Sequence, residues 1–226
     1  MTGIASVSVV LLQAGIVALF AVALRRGDAA AAVNALVSLA ATLLPAAVEL
    51  LLAATGTPGV RFGTALPLWI ALAGLLHSYG MLGPYDTISW WDSLTHTLSA
   101  GLVAALLYAA LLVAAPTAAG WLVAAATVGA TFVVGVFWEL IELVAREVGR
   151  RYDVEPVLVH YGWRDTALDL VFDVVGALLV VLLDVRMFVT VAEAFPETVE
   201  TLLVVSSGVV TVGSVLMVLV VDFGEA

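Results

Sequence analysis

The stretch WRDTALDLVFDVVGALLVVLLD, residues 163–184, has the length and the Leu/Val/Ala content of a membrane span, yet it carries Asp165, Asp169 and Asp173. These recur every four residues, so on a helix they share one face. At a bilayer centre each aspartate costs about 2.5 to 3.5 kcal/mol on insertion scales. A helix with three of them on one face is expected to turn that face inward, toward other helices or a bound cation.

The rest of the chain supports a membrane setting. Of 226 residues, 63% are hydrophobic, and the mean hydropathy is +1.17, which is outside the range of ordinary soluble domains. Formal net charge is -10, and all 8 basic residues are arginines. An acidic, lysine-free, Ala/Val-rich composition suggests a halophilic source. It also argues against nucleic acid as a partner, because no basic patch exists to meet phosphates. Cysteine is absent, which excludes disulfides and thiolate metal sites. The first apolar run is followed, not preceded, by Arg25 and Arg26, so it reads as a retained span and not as a cleaved signal peptide.

Crossing a hydrocarbon core takes about 20 apolar residues in a helix. Seven segments are expected to do so: 4–24, 29–54, 66–82, 93–115, 118–145, 166–185 and 201–221. The breaks fall at RRGD, TGTPG, LGPYD, AAPTAAG and AFPE, all rich in turn-forming residues. The third segment is short, and Pro45 is expected to kink the second. With no internal repeat or linker, the expectation is an all-α, polytopic bundle forming one domain over residues 1–226. With the N-terminus outside and the C-terminus inside, Arg25, Arg26, Arg146, Arg150, Arg151 and Arg164 face the cytoplasm, leaving only Arg61 and Arg186 outside. That placement satisfies the positive-inside rule, and the inverse violates it. Trp90, Trp91, Tyr85, Tyr152, Tyr161 and Trp163 then gather near the inner interface. Seven spans invite a microbial-rhodopsin reading, but the Schiff-base lysine it requires does not exist here.

This topology places the ionisable residues in one layer. Asp92 and His96 share a face at i,i+4; Glu139 and Glu142 do so at i,i+3. Asp165 and Asp173 differ in depth by about 12 Å at 1.5 Å per residue. His77 closes the third span. Glu49 and Asp184 fall toward the opposite surface. Carboxylates and imidazoles at such spacings on facing helices converge on divalent cations in helical bundles. A cation would also relieve repulsion among buried carboxylates. The expected ligands are Glu139, Glu142, Asp165, Asp169, Asp173 and His96, for Mg, Mn or Zn. His96, His77 and Asp92 are the candidate catalytic groups, and Arg146, Arg150, Arg151 and Arg164 the candidate phosphate binders.

The series WWDSLTHTLSAG, GVFWELIELVAR and GWRDTALDLVFDVVGA resembles the YjdF-like family of predicted integral membrane proteins. The matching positions are Asp92, His96, Glu139, Glu142, Asp165, Thr166, Asp169, Asp173 and Gly176, within residues 75–185. A looser likeness to VanZ-like membrane proteins lies in the His, Glu, Asp order. This chain has Glu142 where that series tends to have glutamine, and Asp173 where asparagine is usual. The YjdF-like resemblance implies a membrane site and leaves its chemistry open.

Plainer roles exist for several of these residues. Asp165 could serve as a helix cap, Glu142 could pair with Arg146, and His77 could be an interior hydrogen-bonding residue. His160 reads as a solvated loop residue. Three functional classes follow. One is a membrane-embedded, metal-dependent enzyme acting on a lipid or polyprenyl-phosphate headgroup at the cytoplasmic leaflet. The second is a cation- or proton-coupled transporter, with Glu49 on its route. The third is a non-catalytic membrane scaffold.

Overall fold

The computed structural model describes residues 2–56, 61–153, 156–158 and 162–221. Among them are nine helices and no strand: α1 (Thr2–Arg26), α2 (Ala29–Ala54), α3 (Ala65–Gly80), α4 (Pro84–Thr87), α5 (Trp91–Ala114), α6 (Gly120–Tyr152), α7 (Trp163–Leu182), α8 (Val189–Glu193) and α9 (Pro196–Val220). Seven of these coincide with the seven expected segments; the short α4 and α8 lie in connections. Five helices, α1, α2, α5, α6 and α9, are long and apolar enough to cross a membrane. The other two fall short for different reasons. α3 has only 16 residues, and α7, with 20, carries three aspartates.

The chain divides into two compact units, Met1–Thr95 and His96–Ala226. In the first, α1, α2 and α3 pack on one another. The contacts are made by small side chains, as suits helices that gain nothing from burying apolar surface away from lipid. Ala23, Ala31 and Ala32 form a buried cluster with Phe20, Met81 and Leu82 against it. A Cβ placed at Gly74 would lie 3.0 Å from that of Ser38. Interior polar groups are paired: Gln13 Nε2 donates to Thr42 Oγ1 at 3.1 Å, and Ser78 Oγ to the Gly74 carbonyl at 2.7 Å. At the α1–α2 turn, Gly27 takes φ 72° and the Asp28 carboxylate accepts from Ala31 N at 2.8 Å, capping α2. Pro45 sits within α2 and does not end it.

In the second unit, α6 packs against α7 and α9. At 33 residues α6 is about 50 Å long, well beyond the ~30 Å hydrocarbon core. It outruns the expected apolar end at residue 145 because Glu and Arg are strong helix formers, and Arg150 pairs with Glu147 one turn away, at 2.8 Å. Asp153, in the left-handed region at φ 53°, then terminates it. α9 touches α6 through Gly213, against the Phe137 ring, and through Met217 beside Leu140 and Leu143. Leu202, Val204, Val209 and Leu219 stay exposed, as on a lipid-facing helix.

Candidate metal centre

Three helices of the second unit bring the polar residues together. α5 supplies His96, α6 Glu139 and Glu142, and α7 Asp169 and Asp173. Four of the five are nearly sealed from solvent: His96 is 8% exposed, Glu139 4%, Asp169 3% and Asp173 5%. Groups of this kind belong inside a protein only when paired or bound to a cation.

Two glycines allow the approach. A Cβ at Gly176 of α7 would collide with the Thr97 carbonyl oxygen and lie 2.9 Å from Gly101 N, so the backbones of α5 and α7 meet there. Gly135 of α6 lies one turn before Glu139, and a Cβ on it would occupy the place of the Asp173 carboxylate. Gly176 is part of the sequence motif. Gly135 is not visible in the sequence, because a helical glycine reveals its purpose only through the side chain that fills its gap.

His96 stands between the two aspartates, with Nδ1 3.1 Å from Asp173 Oδ1 and Nε2 3.8 Å from Asp169 Oδ1. A ring nitrogen of His96 and one oxygen each of Glu139 and Glu142 all lie within 4.8 Å of one another. Glu142 Oε1 accepts from Trp138 Nε1 at 2.9 Å, which orients it. Glu139 differs from its neighbours. Among the described residues, neither of its buried oxygens has a hydrogen-bond partner. The Thr166 hydroxyl is close enough to act on it but does not reach hydrogen-bonding geometry.

The remaining candidates divide. Asp165 is not the helix cap. Gly162 holds that position, and Asp165 is the third residue inside α7, where a carboxylate is favoured by the exposed amides of the first turn. His77 and Asp92 belong to the first unit. Tyr85 Oη and His77 Nδ1 are 2.6 Å apart, and Thr95 Oγ1 donates to the Asp92 carbonyl at 2.9 Å. Tyr85, partly buried, is thus hydrogen-bonded within the first unit. So is Trp91, which is buried with Nε1 donating to the Leu76 carbonyl at 3.3 Å. Trp90, Tyr152 and Trp163 are exposed. Tyr161 and His160 lie outside the described residues.

Of the arginines, Arg150 is held by Glu147, and the Arg164 guanidinium lies 5.5 Å above the Trp163 ring. Arg146 and Arg151 carry no ion pair among the described residues. Glu49, expected toward the other surface, accepts from Phe62 N at 2.7 Å and faces Arg61 at 3.5 Å.

The family model described as "Predicted membrane protein (DUF2238)" matches residues 7–190. The chain belongs to that family. It is the YjdF-like family of the motif resemblance, and the match gives no support to the VanZ-like one. No curated protein and no solved structure matches the chain. As a DUF2238 protein with several apolar helices, the chain is a multi-pass membrane protein. The matched range takes in all five residues of the cluster and ends before α9.

Proposed function

We propose that this is a membrane-embedded, metal-dependent enzyme acting on a lipid or polyprenyl-phosphate headgroup at the cytoplasmic leaflet. In this reading α3 and α7 cross the membrane with the other five, the N-terminus is outside and the C-terminus inside. The observation that carries it is Glu139, with two buried oxygens that no described residue satisfies. An unpartnered buried carboxylate is costly, and a divalent cation removes the cost. One oxygen of Glu142 and a nitrogen of His96 lie within 4.8 Å of a Glu139 oxygen and of each other. When bound, such an ion polarises a phosphoryl or ester oxygen or acidifies a water.

The chain's own residues supply the rest. Trp138 fixes Glu142. The C-terminal turns of α6 present Arg146 and Arg151 toward the cytoplasm, where a phosphate would need them. The transport reading leans on Glu49 as a second station, and Glu49 instead holds the α2–α3 connection.

Purified protein in liposomes, supplied with Mn²⁺, Mg²⁺ or Zn²⁺, should turn over a phosphate-bearing lipid from a panel of polyprenyl phosphates and phospholipids. EDTA and Glu139→Gln should each abolish that turnover. Metal-loaded protein that transforms no member of the panel would contradict the enzyme reading.

A further inference from the structure

We infer that Arg146 is the specificity residue of the site: its guanidinium grips the phosphate group of the substrate, and the ion at Glu139 and Glu142 takes another oxygen of that phosphate. The substrate is then an anionic phosphate ester and not a neutral ester. This rests on the metal-centre reading above and deepens it.

All three side chains stand on α6. At ~100° per residue, Arg146 lies within about 40° of Gly135, Glu139 and Glu142 around the helix axis. That face is packed on α7, since a Cβ at Gly135 would occupy the place of the Asp173 carboxylate. Along the axis Arg146 is about 6 Å beyond Glu142 and about 10 Å beyond Glu139. Its Cα–Cβ bond leans back toward the helix N-terminus, and so toward the carboxylates. Arg151, about 140° away from Arg146, lies on another side of the helix.

The i,i+4 ion pair that the sequence offers between Glu142 and Arg146 is not made. Glu142 Oε1 instead accepts from Trp138 Nε1 at 2.9 Å. Arg146, partly buried, carries no ion pair among the described residues, and its neighbour Arg150 is held by Glu147 at 2.8 Å. On the same face, two turns back, are the buried Glu139 oxygens that no described residue satisfies. One face of one helix thus offers a place for a cation and, beside it, a place for an anion. A phosphate bound to that cation fills the second place, and a guanidinium matches it with two parallel N–H···O bonds. The plainer alternative is a solvated arginine that only sets membrane orientation.

Phosphate binding to the Mn²⁺-loaded full chain, in a phosphate-free maltoside detergent, separates the two. Inorganic phosphate and farnesyl phosphate are titrated in turn, and the ³¹P relaxation enhancement by bound Mn²⁺ is read. The inference expects saturable enhancement in wild type and roughly 10- to 100-fold weaker binding in Arg146→Gln still loaded with Mn²⁺. Arg146→Lys, which keeps the charge and loses the fork, should fall between them, and decides the matter should Arg146→Gln fail to fold. Arg25→Gln, which removes an exposed charge elsewhere, should bind as wild type does. Tighter binding of farnesyl phosphate than of inorganic phosphate would assign the group to a lipid headgroup. Binding of inorganic phosphate alone would keep the role of Arg146 and contradict the lipid substrate. Metal-loaded Arg146→Gln and Arg146→Lys that bind phosphate as wild type does, or an equal loss in Arg25→Gln, would overturn the inference and leave the metal centre standing. Failure of wild type to bind Mn²⁺, Zn²⁺ or Mg²⁺ at all would overturn the metal centre itself.

Discussion

His96 Nδ1 and Asp173 Oδ1 are 3.1 Å apart, although the two residues are 77 positions apart in the chain. The pair joins α5 to α7, and the gap left by Gly135 brings α6 against the same carboxylate. The centre is thus a product of how closely three helices approach, and its integrity depends on residues that bear no charge.

Gly176 tests that dependence. A Cβ there meets backbone atoms of Thr97 and Gly101, which cannot rotate aside, so Gly176→Ala must push α5 and α7 apart. Overpacking of this kind costs about 1–3 kcal/mol. Gly208 is the control, because a Cβ on it meets nothing within 4 Å. Alanine is favoured over glycine in a helix by about 0.5–1 kcal/mol. Thermal midpoints in detergent should fall for Gly176→Ala and hold or rise for Gly208→Ala. Equal midpoints would mean that the α5–α7 approach is looser than described.

Acid sensitivity is expected at the other end of α7. The Asp184 carboxylate accepts from Arg186 Nε at 2.7 Å and Tyr108 Oη at 2.8 Å. The guanidinium first, and the phenol second, hold its pKa below the ordinary carboxylate value. A carboxyl depressed in the folded state takes up a proton more readily when unfolded. Its contribution is present above the unfolded value of about 3.9 and fades as pH falls through the folded one. Solvent exposure of both partners keeps the contribution small. Asp184→Asn, which tolerates the left-handed backbone at φ 52°, should be slightly less stable than wild type at neutral pH. The two curves should converge under acid. A gap independent of pH would show that charge is not what Asp184 contributes.

Orientation has a direct test. Reporter fusions after Arg26 and after Arg151 should both report cytoplasm. An external signal from either would reverse the placement of the arginines and remove the cytoplasmic leaflet from the proposed function.

Apolar length was enough to locate all seven long helices, and i,i+3 and i,i+4 spacing was enough to pair Glu139 with Glu142 and Asp169 with Asp173. Other features depend on contacts that no local pattern carries. The extension of α6 past its apolar segment is one, because hydropathy stops at residue 145 while helix propensity continues to Tyr152. Asp165 resembled a cap because the true one, Gly162, has no side chain to announce it. For Trp91 and Tyr85, only folding shows their hydrogen-bond partners, the Leu76 carbonyl and His77. Asp173 looked like one carboxylate among several until its place on His96 Nδ1 was seen.

The metal content of the purified chain tests the central claim most directly. Elemental analysis of wild type and of Glu139→Gln, after equal exposure to Mn²⁺ or Zn²⁺ and desalting, compares proteins that differ by one buried charge. The account predicts about one equivalent in wild type, held by the group of His96, Glu139 and Glu142. It predicts a loss of most of that metal in a Glu139→Gln protein that remains helical and monodisperse. Wild type free of metal, or a variant that retains as much as wild type, would contradict it.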